Sequence, residues 1–194
     1  MAGATVVIQL VSAAKGADPR FLSIVTTDKG GTFSADALPA GTFEICPQFR
    51  GGDLLAPCMW GSPPSVTLSL DQVAEVAPIT MTQGTHLAIR IDDPNGTIAA
   101  QGSAAVSAIS VGIAGPRLMA IPAAVKSKDA TGQNLDALIP YDRTVRVLVF
   151  SKTLALADDK GQAIDMQTGA GIAVIVPSGS RDATVTLRVT GVSQ

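Results

Sequence analysis

A chain of 194 residues can hold one large or two small domains, each with its own hydrophobic core. Hydrophobic residues make up 46% of it and charged residues only 15%, a palette of Ala, Val, Ile, Leu and Thr that suits β-strands. The net charge of −2 argues against nucleic acid or an anionic membrane surface as a partner, and no apolar run approaches the length of a membrane span.

Period-two alternation of apolar residues predicts a series of strands in the first half of the chain. Two clusters of turn residues separate them, Asp28-Lys29-Gly30-Gly31 and Leu38-Pro39-Ala40-Gly41. A long loop rich in Gly and Pro follows, over residues 49–64. The predicted strands span residues 5–11, 21–27, 32–35, 42–49, 65–70 and 76–81.

The turn clusters and their flanking residues carry a family resemblance. A T-x-D-x-x-G-x-F segment followed by L-P-A-G-T-F resembles the carboxypeptidase regulatory-like domain, a transthyretin-like β-sandwich related to the collagen-adhesin B-type repeat of bacterial surface proteins. The resemblance covers roughly the first 80 residues and implies a fold without implying an activity. The residues that carry it are Thr26, Asp28, Gly31, Phe33, Leu38, Pro39, Ala40, Gly41, Thr42 and Phe43.

The second half restarts after Gln83-Gly84, which predicts a domain boundary there. Predicted strands span residues 86–91, 106–113, 118–125, 144–150, 154–157, 171–176 and 184–189. Residues 92–96 are interpreted as a hairpin-type turn and residues 126–133 as a polar loop. Residues 129–138 are the one place where a helical turn is allowed. The expected fold is therefore all-β, with a transthyretin-like sandwich over 1–83 and an immunoglobulin-like sandwich over 84–194.

Cys46 and Cys58 are the only cysteines. Two sulfurs cannot complete a structural zinc site without help from other ligands, and a redox pair prefers the closer C-x-x-C spacing. A disulfide that closes the loop after a strand is the favoured interpretation, and two reduced buried thiols are the alternative. A disulfide requires an oxidising compartment, so we expect a secreted or periplasmic protein. No signal peptide is visible in this chain, which fits either a mature fragment or a cytosolic protein, and the cysteines favour the first.

Trp60 lies two residues after Cys58 in the Gly/Pro-rich loop. Its favoured role is to pack on the disulfide and close the end of the sandwich. The alternative is an exposed platform that stacks on a sugar ring, together with Phe49. That alternative predicts a carbohydrate-binding module.

Catalytic and metal-binding patterns are weak in this sequence. The turn aspartates Asp92, Asp93, Asp158 and Asp159 do not have the spacing of an EF-hand, and ordinary turns explain them. The single histidine, His86, is predicted to point to solvent beside Arg90. No nucleophile motif and no phosphate-binding loop is present. We therefore expect neither enzymatic activity nor a metal or cofactor.

The favoured function is a non-catalytic extracellular module, structural or adhesive, that acts through protein–protein contacts. Charge is low and mean hydropathy is positive, at +0.35. Outward strand positions such as Val7, Ala88 and Ala173 carry no charge, so sheet edges are poorly defended against pairing. The sequence thus predicts burial of part of this surface against another copy or a foreign protein.

Overall fold

The computed structural model describes residues 1–13, 20–49, 52–100, 109–114, 120–165, 171–177, 179–180 and 182–192. Nearly all regular structure in these ranges is β-strand, which confirms the predicted all-β fold. The chain divides into two compact units, Met1–Gln83 and Gly84–Gln194.

The elements of the first unit are β1 (Thr5–Ala13), β2 (Leu22–Thr26), β3 (Gly41–Gln48), β4 (Leu54–Leu55), α1 (Pro57–Trp60), β5 (Ser65–Leu68) and β6 (Thr82–Gln83). Those of the second are β7 (Thr85–Asp92), α2 (Thr97–Ala100), β8 (Ile109–Ala114), β9 (Ala120–Pro122), β10 (Ala124–Asp129), β11 (Gly132–Ile139), β12 (Thr144–Ser151), β13 (Leu154–Ala157), β14 (Ile172–Ile175) and β15 (Asp182–Val192). Each described helix has four residues, and neither is long or apolar enough to cross a bilayer.

The first unit is built on a four-stranded antiparallel sheet with the strand order β2-β1-β3-β5, and β4 pairs with β6 in a separate two-stranded sheet. Alternation in β1 and β3 sends one set of side chains inward, because successive residues of a strand point to opposite faces. The ring of Phe43 meets that of Phe21 edge-on, with centroids 6.2 Å apart. The buried residues of this core are Val6, Ile8, Leu10, Phe43 and Ile45.

Gly41 allows β3 to approach β1 at a bulge, where the register of β1 shifts between Leu10 and Ser12. Its φ of 154° lies in the region that favours glycine. A Cβ atom at this position would lie 2.6 Å from the carbonyl oxygen of Ser12. The L-P-A-G-T turn therefore needs glycine at its fourth residue for a steric reason.

The predicted strands at 32–35 and 76–81 are wrong, since both segments are irregular in the structure. They cover the inner face of the sheet, and Phe33, Leu38, Val76 and Ile79 pack against its core. Val76 and Ile79 are three residues apart, so a strand would send them to opposite faces. Burying both side chains on one face requires the chain to leave strand geometry.

The second unit contains a five-stranded sheet, β10-β11-β7-β15-β13, and a four-stranded sheet, β14-β12-β8-β9. Both sheets bury one face of alternating apolar side chains, the pattern of a β-sandwich. Strands β7 and β15 are parallel neighbours, and every other described pairing between these strands is antiparallel. The immunoglobulin-like assignment of this unit stays a prediction.

Three local interpretations of the second half are wrong. The predicted polar loop at 126–133 and the helical turn allowed at 129–138 are both absent. Most of these residues belong to the hairpin of β10 and β11. All of β10 is exposed, so it shows no apolar alternation that a strand prediction could use. Residues 92–96 form a turn that leads into α2 rather than into a hairpin. The predicted strand residues 106–108 and 118–119 lie outside the described ranges.

Candidate interaction surfaces

The structure joins Cys46 to Cys58 in a disulfide, with the two Cα atoms 5.6 Å apart. Cys46 lies on the face of β3 opposite Phe43 and Ile45, and Cys58 lies in α1. The bond therefore holds α1 against β3 on the outer side of the sheet. Ala56 is the N-cap position of α1, and Pro57 is its first residue, where proline's missing N–H carries no cost.

Trp60 is the last residue of α1 and is only 8% exposed. A sugar-stacking platform needs an open ring face, and a side chain this buried offers little of one. Phe49 follows the end of β3 and is half-buried. These positions agree better with the predicted packing role of Trp60 than with a carbohydrate site.

The turn aspartates use their carboxylate oxygens on backbone amides. One Oδ1 atom of Asp28 accepts hydrogen bonds from the N–H groups of Gly30 and Thr32, at 2.8 and 2.9 Å. Asp158 accepts from Lys160 and Gln162 in the same arrangement, at 3.0 and 2.8 Å. These are the predicted turns, and the same arrangement occurs in both units.

Asp93 is nearly fully buried, at 3% exposure, and serves the start of α2. Its two oxygens accept the N–H groups of Thr97 and Ile98, at 2.8 and 2.7 Å. Sequence reasoning assigned Asp93 to a hairpin turn and missed this role. No N-cap pattern in the sequence indicates this role, because Asp93 lies four residues before Thr97, the first residue of α2, whereas an N-cap residue directly precedes its helix.

His86 is paired rather than simply solvent-facing. Its Nδ1 atom lies 2.9 Å from both carboxylate oxygens of Asp136 on the neighbouring strand β11. The amine of Lys126 lies 3.4 Å from the same carboxylate. This partly exposed group lies on the outer face of the sheet. His86 and Asp136 meet because of the register of β7 with β11, which the sequence does not reveal.

Arg90 is the centre of a second polar network on the same face. Its guanidinium binds both oxygens of Asp129, at 2.6 and 3.0 Å, and its Nε atom donates to Asp92 at 2.9 Å. The hydrogen bonds from Arg90, followed by those from Thr131, hold the pKa of Asp129 well below its ordinary range. The two carboxylates raise the pKa of Arg90.

The chemistry of these polar groups is that of structural pairing. Within the described ranges, no group of three or more His, Cys, Asp or Glu side chains is arranged to hold a metal ion. The carboxylates of Asp136 and Asp129 are paired with His86 and Arg90, and that of Asp93 accepts backbone N–H groups. The described surface also exposes large apolar side chains.

The outer face of the first unit carries an uncharged apolar patch. Leu22 and Ile24 of β2 are 53% and 63% exposed, and Val11 of β1 is also exposed. Val7 lies beside Ile24 in the pairing of β1 with β2. We call Val7, Val11, Leu22 and Ile24 the β2 patch. The sequence analysis identified Val7 as an outward position but missed the other three residues, although β2 carries apolar residues at both even and odd positions.

The inner side of the first unit contains a cavity of about 870 Å³. Its floor is the sheet, through Val6, Ile8 and Ile45, and its walls are the two irregular segments that cover the sheet. Three acidic residues, Asp36, Asp71 and Glu75, also line it. The cavity exists because these segments pack against the core without pairing into a second sheet.

The second unit also exposes large apolar side chains. Phe150 of β12 and Ile175 of the edge strand β14 are 45% and 62% exposed. Arg146 of β12 pairs with Ala173 of β14, so this face carries a charge beside its apolar residues. The β2 patch has no such neighbour on β1 or β2.

Comparison with known proteins assigns no family. No protein family matches the chain, and no curated protein matches its sequence. Among solved structures, a shaft pilin of Lactobacillus rhamnosus GG matches all of this chain and 87% of its own, at 9% identity and a TM-score of 0.26. A major pilin of Streptococcus pyogenes matches 98% of this chain and 90% of its own, at 8% identity and a TM-score of 0.25. Similarity this low carries no inference about the present chain.

Proposed function

We propose that this chain is a non-catalytic extracellular module, structural or adhesive, that acts through protein–protein contacts and associates with itself. The carrying observation is the exposed apolar surface of the first unit's sheet, at Leu22 and Ile24 of the edge strand β2. A contiguous apolar patch exposed on a soluble monomer usually marks a site of contact with another molecule.

The compartment follows from the disulfide in this proposal. A Cys46–Cys58 bond persists outside the reducing cytosol, which supports secretion or a periplasmic location. The polar networks around Arg90 and His86 fit the same function, since they brace the sheet rather than activate a nucleophile. The carboxypeptidase regulatory-like identity of the first unit belongs to the proposal and rests on its sequence motif.

Light scattering across a hundredfold range of concentration tests the proposal. We expect the mass to rise above the 19.7 kDa of one chain. A constant mass, together with no protein captured from the producing cell's surface, would contradict it. A glycan array run in parallel addresses the carbohydrate alternative, which predicts binding that Trp60→Ala removes. We expect no signal, because Trp60 is buried.

A further inference from the structure

Strand β2 is an edge of the first sheet, and no described strand pairs with its outer side. Its hydrogen bonds to β1 fix which residues face that side. Leu10 donates to the carbonyl of Phe21 at 3.1 Å, and Thr27 donates to the carbonyl of Ala4 at 2.9 Å. In an antiparallel strand the N–H and C=O of one residue point to the same side, and the side alternates. The odd-numbered residues therefore bind β1.

The even-numbered residues Leu22, Ile24 and Thr26 consequently direct their backbone groups to the open edge. Their side chains share the exposed outer face of the sheet. The strand reads Leu-Ser-Ile-Val-Thr and carries no charge, proline or glycine. Natural edge strands usually carry such residues, which prevent pairing with another chain. This edge lacks those defences.

We propose that two copies of the chain pair antiparallel through β2, about a two-fold axis at Ile24. This dimer rests on the proposed function, and it names the partner, a second copy, and the surface, strand β2. In this register Ile24 lies opposite Ile24 of the second copy, and Leu22 lies opposite Thr26. All these residues have their backbone groups at the open edge, so each opposed pair exchanges two hydrogen bonds. The two four-stranded sheets become one of eight strands.

The same register places complementary charges at both ends of the contact. Arg20 and Asp28 are each four residues from Ile24, so Arg20 of one copy lies opposite Asp28 of the other, twice. Both side chains are exposed. A shift by two residues in either direction loses this match and leaves part of the strand unpaired. Charge and strand length therefore select the same register.

The contact is isologous, so it closes at two copies and does not propagate. One edge strand and the side chains of the β2 patch form a small surface compared with stable interfaces, which bury roughly 1,200–2,000 Å². We therefore expect a weak dimer that forms at high concentration and dissociates on dilution.

Cysteine crosslinking tests the register. Opposed residues of a hydrogen-bonded pair have Cα atoms about 5.5 Å apart, a separation that a disulfide spans. Mild oxidation of Ile24→Cys should give a covalent dimer at least tenfold faster than oxidation of Ile175→Cys, a matched edge-strand residue of 62% exposure. Leu22→Cys and Thr26→Cys should crosslink when mixed but not alone. Equal rates for Ile24→Cys and Ile175→Cys, or self-crosslinking of Leu22→Cys, would overturn the proposal.

A charge at the two-fold axis separates this proposal from the broader function. Ile24→Lys opposes two ammonium groups in the dimer, while its 63% exposure leaves the folded monomer intact by circular dichroism. We expect the concentration-dependent mass increase to disappear in Ile24→Lys and to persist in Ile175→Lys. An increase that survives Ile24→Lys refutes the β2 interface and leaves the proposed function standing. A wild-type chain that never exceeds one chain's mass refutes self-association itself.

Discussion

Arg90 binds Asp129 through both carboxylate oxygens, at 2.6 and 3.0 Å, although their strands do not pair. Strand β11 lies between β7, which carries Arg90, and β10, which carries Asp129. The ion pair therefore spans a strand and ties the exposed edge strand β10 to the centre of the sheet. Charge-assisted hydrogen bonds are roughly twice as strong as neutral ones, and a bidentate pair also fixes the geometry.

This ion pair predicts a pH dependence of stability. The folded state holds the pKa of Asp129 below the roughly 3.9 of an unfolded aspartate. The contribution is therefore complete above that unfolded pKa and is lost as pH falls toward the folded one. The wild type should have a higher free energy of unfolding than Asp129→Asn, and this difference should shrink as pH falls from 5 to 2, measured by denaturant unfolding. Asp159→Asn, an exposed turn substitution, should show no such change. A constant difference at every pH would contradict the prediction.

Removing the disulfide should destabilise the first unit. A loop with a sequence separation of 12 residues contributes about 3 kcal/mol in the chain-entropy treatment. Cys46→Ala combined with Cys58→Ala should lower the free energy of unfolding by about that amount. Trp60 is the only tryptophan, so its emission reports this region. Reductant should lower the free energy of unfolding of the wild type by the same amount and leave that of the double variant unchanged. An effect on both proteins would mean that the loss does not come from the disulfide.

Asp93→Ala should destabilise the second unit by about 2 kcal/mol, because the partly buried N–H groups of Thr97 and Ile98 lose their acceptors. Asp93→Asn is the matched control, since it keeps one acceptor oxygen and nearly the same volume. We expect Asn to cost less than half as much as Ala in thermal or denaturant unfolding. Equal losses would contradict the prediction, because they would mean that the acceptor oxygen retained by Asn contributes nothing to stability.

Hydrogen exchange should separate the two layers of the first unit. No backbone hydrogen bond joins residues 33–40 or 73–81 to another described residue, whereas β1 and β3 are paired along most of their length. Amides in these two segments should exchange at least a hundredfold faster than those of Val6, Ile8 and Ile45. Comparable protection would mean that the segments form a second sheet in solution.

The sequence located most strands because their apolar residues alternate. Residues 154–157 were predicted with the observed bounds of β13, and β1, β3, β7 and β12 were placed within two residues at each end. The errors have physical causes. Strand β10 is exposed on both faces and so carries no apolar alternation, and Val76 and Ile79 are three residues apart, which in a strand would place them on opposite faces.

The surfaces were harder to predict than the strands. The pairs His86–Asp136 and Arg90–Asp129 depend on which strands become neighbours, and their partners lie about 40 to 50 residues away along the chain. The exposure of Leu22 and Ile24 depends on β2 being an edge strand. Composition indicated that such a surface exists, through low charge and high hydropathy, but not where it lies.

The parallel pairing of β7 with β15 has a mechanical consequence. These are the first and last strands of the second unit, and they run side by side from Leu87 and Ala183 to Asp92 and Arg188. Because they are parallel, the chain enters the pair at one end and leaves it at the other. Tension on the chain therefore pulls the two strands past each other and loads their shared hydrogen bonds together, whereas an antiparallel hairpin peels open one bond at a time. A unit connected in this way resists stretching along its chain.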